Sequence, residues 1–140
     1  KEGSYIAVYN KFQGWIGYVG LAATNLNTNT YNVYLTNATP SASLDDVKAD
    51  LADITNQNGY APADEQNTYS ESAGTGTGAA TDVTWTASGG SFGPFQYVAA
   101  YDDTHASDIL RNWWDYGSAL TPAAGESFTV DFGASTFTIA

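Results

Sequence analysis

The amino-acid sequence predicts a mainly β fold: an antiparallel β-sandwich, immunoglobulin-like or jelly-roll-like, with one or two short helices. Three observations predict it. Short runs of alternating apolar and polar residues fill the C-terminal half, glycine and proline turn signals separate them, and 140 residues fit one domain large enough to bury a core. Residues 1–30 read as an N-terminal arm and helix segment, and residues 31–140 as the β-sandwich domain.

Residues 4–9 read as a short strand or extended arm. Phe12, Trp15, Ile16 and Val19 then recur at helical spacing. Gly14, Gly17 and Gly20 oppose a helix by roughly 1 kcal/mol each, so packing must hold it. After a polar break at 25–30, Tyr31, Val33 and Leu35 alternate with Asn32, Tyr34 and Thr36 as a strand that Pro40 ends. Leu44, Val47, Leu51 and Ile54 form one apolar stripe. With Ser43 as N-cap and Asp45 and Asp46 in the first turn, the pattern predicts a helix over about residues 44–53.

Residues 56–80 are rich in Asn, Gly, Ser, Thr and Ala and predict a long excursion. It carries one irregular strand near Gln66–Ser72, with the Gly74–Gly78 run as a flexible tip. Beyond it, Val83, Trp85 and Ala87 alternate cleanly, and Gly89-Gly90 and Gly93-Pro94 mark turns. Residues 95–101 are apolar on both parities, the pattern of a central strand covered on both faces. A turn at 102–107 leads to a strand over 109–116. Phe128, Val130 and Phe132 share a face in the next strand, and residues 136–139 form the last.

The composition excludes several functions. The net charge is −11, and the four bases, Lys1, Lys11, Lys48 and Arg111, are scattered. Such a surface repels a nucleic-acid backbone and an anionic membrane, so neither is an expected partner. There is no cysteine, hence no disulfide and no thiolate metal site. Charged residues make up 14% of the chain against a usual ~25%, their place taken by Thr, Ser, Asn, Gly and Ala. That balance resembles secreted or virion-surface proteins more than cytosolic enzymes.

Catalytic chemistry finds little to work with. The single histidine, His105, sits in a polar turn between Asp103 and Asp108, and no Gly-x-Ser-x-Gly elbow offers a nucleophile. None of the many carboxylate pairs is singled out as an acid–base couple. Asp102, Asp103 and Asp108 offer hard oxygen ligands but match no EF-hand spacing and read better as a surface turn. The Gly74–Gly78 run lacks the lysine and the strand-to-helix context of a phosphate loop. No catalytic residue, metal or cofactor is therefore expected. Trp113 and Trp114 are adjacent in a strand and so face opposite sides. Either one of them faces outward, toward a sugar or a protein, or both are covered within the subunit.

Several segments resemble a family of small structural proteins of tailed bacteriophages. They are residues 9–12 (Tyr-Asn-Lys-Phe), 35–40 (Leu-Thr-Asn-Ala-Thr-Pro), 54–55 with 58–60, 90–97 (Gly-Ser-Phe-Gly-Pro-Phe-Gln-Tyr), 101–104, 113–118 (Trp-Trp-Asp-Tyr-Gly-Ser) and 125–132 (Gly-Glu-Ser-Phe-Thr-Val-Asp-Phe). The resemblance covers most of the chain in order, although the first helix here is Gly- and Trp-rich where the family pattern carries more charge. It implies a virion component on the capsid surface: a decoration (cement) protein that braces the head by binding the major capsid protein and copies of itself, as a homotrimer at a threefold position. Trp15, Ile16 and Tyr18 are then the expected subunit contacts, with Trp113 or Trp114 as a second anchor. The competing expectation is a tail- or fibre-associated module that binds a receptor or glycan through exposed aromatic rings.

Overall fold

The computed structural model describes residues 7–140. Part of the 4–9 arm lies outside them; the first strand described, β1, runs Val8–Lys11 and is followed by one short helix, α1 (Gly14–Gly20). Nine further strands follow: β2 (Tyr31–Thr36), β3 (Ala63–Asp64), β4 (Thr68–Ser72), β5 (Thr75–Ala79), β6 (Val83–Thr86), β7 (Phe95–Asp102), β8 (Ile109–Leu120), β9 (Ser127–Val130) and β10 (Phe137–Ile139). All pairings are antiparallel. The main sheet has the order β1-β8-β7-β2-β3, a second β10-β5-β4, and a third β6-β9. The predicted antiparallel β-sandwich, sheets packed face to face, is what the chain forms.

The main sheet is buried on both faces, as the apolar run at 95–101 predicts. On one face Val33, Leu35, Val98 and Ala100 pack against Val83, Trp85, Phe128 and Val130 of the β6-β9 sheet, with Phe92, Phe95 and Tyr60 filling between. On the other face Tyr34, Tyr97, Ala99, Tyr101, Leu110 and Trp113 pack against Phe12 and Leu51. Turn signals fall where chain reversal needs them; Gly93–Pro94 carries a cis peptide bond.

The helix expected over 44–53 does not form. Only a single 3-10 turn, Lys48–Asp50, is found there. Aspartate carboxylates close tight turns instead of lining a wet helix face. Asp45 accepts the backbone N–H of Ser41, and Asp50 accepts those of Asp46 and Val47. Those two bonds to Asp50 also hold its carboxyl below the usual aspartate range. Val47 bridges to Ile109 at the end of β8, and Leu44, part of the expected apolar stripe, is 80% exposed. Backbone pairing with the sheet overrides the helical spacing.

The glycine-rich tip is likewise not a loose end. Thr75–Ala79 is strand β5, paired on one side with β4 and on the other with β10. Its glycines are buried because aromatic rings lie over them. A Cβ on Gly76 would meet the Tyr69 hydroxyl, and one on Gly78 would come within 2.3 Å of the Phe137 ring. Alternation places Gly76 and Gly78 inward and Thr75, Thr77 and Ala79 outward.

Candidate interaction surface

The groups that could do chemistry are held in structural bonds. Asp102 is fully buried at the end of β7, and four donors occupy its carboxylate: Thr24 and Asn29 side chains on Oδ2, and the backbone N–H groups of Thr104 and His105 on Oδ1. This carboxylate ties the 24–29 segment to the 102–107 turn. Nδ1 of His105 accepts the Ser107 N–H, and its ring lies beside that of Tyr18. Asp103 is exposed, and the half-buried Asp108 has its carboxyl pushed up by burial and by the neighbouring Asp103. Among the described residues no group of three or more His, Cys, Asp or Glu side chains is placed to hold a metal ion.

The two adjacent tryptophans divide between the faces, as strand geometry requires, and both faces are covered. Trp113 packs on Phe12, with ring centroids 4.6 Å apart. Trp114 sits edge-on to Phe132 at 5.4 Å and to Tyr9 at 6.0 Å. Trp15 is only 2% exposed and meets Phe137 edge-on. Tyr18 directs its hydroxyl to Asp46, 2.9 Å away, an acceptor that raises the phenol's pKa. A Cβ on Gly14 would collide with that same Asp46 carboxylate, so Gly14 lets α1 approach the 41–54 segment. Trp15 and Tyr18 thus anchor the helix, and of the five residues proposed from sequence Ile16 presents the most surface, at 47% exposure.

Ile16 does not stand alone. Val8, Tyr9 and Leu21 are also exposed, so four of the five large apolar side chains found at the surface fall within residues 8–21. Between Tyr9 and Lys11 of β1, Trp15 and Ile16 of α1, and residues 136–140 lies a groove of about 550 Å³. A second hollow of about 390 Å³, lined by Val19, Leu26 and Tyr69 among others, flanks it, with Ile139 common to both. No acidic residue lines either hollow. The sequence carries that signal plainly: Glu2 is the only acid before Asp45, so residues 3–44 hold none of the chain's other 14. The groove itself could not be read from sequence, because it joins opposite ends of the chain.

Behind the groove lies a buried ion pair. Ala100 pairs with Asn112 whereas Tyr101 pairs with Leu110, so Arg111 is the extra residue of a bulge in β8. Its guanidinium meets Glu65 in a two-pronged bridge of 2.6 and 3.0 Å, donates from Nε to Asn112, and lies over the rings of Tyr31 and Phe137. Lys48 pairs with Asp53 and lies over the Tyr34 and Tyr101 rings. Lys11, exposed on β1 at the groove, has no ion pair among the described residues.

No family model, no curated protein and no solved structure matches this chain.

Proposed function

We propose that this protein is a non-enzymatic structural component of a bacteriophage virion, a capsid decoration protein that associates with the major capsid protein and with copies of itself. The sequence resemblance supports the virion setting. An assembly role rests on one observation: the exposed apolar side chains Val8, Tyr9, Ile16 and Leu21 gather on a stretch free of acids in a chain of net charge −11. Like-charged surfaces repel, so close approach of many subunits is least costly through a stretch that contributes no carboxylate of its own. Apolar area buried there, repeated over a shell, raises the free energy needed to open it.

Association through exposed aromatic rings with a glycan has less support. Trp15, Trp85 and Trp113 are buried, and Trp114 is packed between Tyr9 and Phe132. No tryptophan is among the exposed large apolar side chains, so sugar stacking finds no prominent ring. The test of the decoration role is to compare virions that lack the protein with virions that carry it. Loss of resistance to heat and osmotic shock is expected, and equal resistance would contradict the role.

A further inference from the structure

The groove beside β1 is bounded by a strand edge. β10 is the outermost strand of its sheet, paired with β5 on one side only. Five consecutive residues, Thr136 to Ala140, line the groove. A strand that showed a face would contribute alternate residues; a continuous run is the mark of an edge. The hydrogen bonds give its direction. Thr136 donates its N–H to the Gly78 carbonyl in β5. Ala73 and Gly74 close β4 and β5 in a two-residue turn, so Thr75 and Thr77 bond to β4 while Gly76 and Gly78 face β10. Phe137 lies opposite Gly78 and Ile139 opposite Gly76, so these two bond to β5, and the N–H and C=O of Thr138 point into the groove. Across the groove stands β1, itself the outermost strand of the main sheet, offering Tyr9 and Lys11.

We propose that this groove binds an extended segment of another protein by strand addition to β10, with apolar side chains at alternate positions and an acidic residue facing Lys11. The N–H and C=O of Thr138 supply the ladder, and Trp15, Ile16 and Ile139 supply apolar wall. Charge selects the occupant. No acidic side chain lines the wall, Lys11 is exposed there without an ion pair among the described residues, and an acidic side chain in the incoming strand is its complement. A second copy of this chain is a poorer complement, since the same groove would bring Lys11 toward Lys11. The inference goes beyond the virion role and does not depend on it, because it concerns purified protein and peptide.

The probe is a capped heptapeptide, Thr-Val-Thr-Glu-Thr-Val-Thr, with a twin carrying Lys in place of Glu. Amide hydrogen exchange and peptide titration are measured on the full chain and on Lys11→Glu, whose exposed site leaves the fold untouched. The expected result is slowed exchange at Thr138 on adding the Glu peptide. Binding should weaken by about five- to tenfold in Lys11→Glu, and the Lys peptide should show the opposite preference. Thr138→Pro, which removes an N–H pointing into the groove but none pairing with β5, should abolish peptide binding in either background. Unchanged exchange at Thr138, or equal affinity of both peptides for both proteins, would overturn the proposal. So would concentration-dependent protection without peptide, accompanied by dimers in sedimentation, which would make the occupant a second copy.

Discussion

Arg111 and Glu65, 46 positions apart, form a two-pronged ion pair at 1% and 0% side-chain exposure. The pair joins the bulge of β8 to the segment between β3 and β4. Glu65 is fixed at both ends, since its backbone N–H donates to the Tyr31 carbonyl and its carbonyl accepts from Thr81. A charge held this deeply is tolerable only with its partner present. Replacing Glu65 by Gln strands a buried guanidinium and should cost about 3–5 kcal/mol in urea denaturation. The double replacement Glu65→Gln with Arg111→Met should cost clearly less than the sum of the two single changes.

The glycines of β5 should differ in what they tolerate. In Gly76→Ala the new methyl group meets the far end of the Tyr69 side chain, which can swing away. In Gly78→Ala it meets the Phe137 ring, which is wedged against Trp15 and over Arg111. Gly78→Ala should destabilise by about 1–3 kcal/mol through overpacking, and Gly76→Ala by less. Thermal melts followed by tryptophan fluorescence check this, since Trp15 is the indole that a displaced Phe137 would disturb.

Burial raises the carboxyl pKa of Asp53, against the lowering effects of the Tyr60 hydroxyl and Lys48. A group whose folded pKa lies above its unfolded value favours the folded state when protonated. In the window just above the ordinary value of 3.8, stability from this group should therefore rise as pH falls. Asp53→Asn removes that proton uptake while leaving an oxygen to accept from Tyr60. Unfolding free energies measured across the window should show wild type gaining on the variant as acid is added.

Trp113 and Ile16 should separate core from surface. Truncation of Trp113 to Ala, which opens a cavity against Phe12, should cost about 3–5 kcal/mol. Truncation of Ile16, half-exposed on α1, should stay within about 0.5 kcal/mol of wild type. Denaturant titration of both variants checks the contrast.

The strands were legible wherever side-chain alternation met burial. Val83 and Trp85, Val33 and Leu35, and Phe128 and Val130 all point inward as their periodicity predicts. Three features were not legible, each for a physical reason. The spacing of Leu44, Val47, Leu51 and Ile54 is helical, but aspartates that capture backbone N–H groups made turns of it. The Gly74–Gly78 run lacks side chains to show a pattern, and its order comes from Tyr69 and Phe137 lying over the glycines. Glu65 and Arg111 meet through a bulge, which shifts register by a residue and leaves no periodic trace. Of the candidate surface, Trp15 and Ile16 were visible as part of a helical stripe. The groove's far wall, β10, was visible as a strand but not as a neighbour.

The central claim is that the exposed apolar side chains of residues 8–21, a stretch with no acid of its own, dock on the particle. Its most direct test is binding of purified protein to particles that lack it, comparing wild type with the double variant Ile16→Asp, Leu21→Asp. Both positions are exposed, so the variant should fold as wild type does, and wild type should bind saturably while the variant does not. Saturable binding by both proteins, or by neither, would contradict the account.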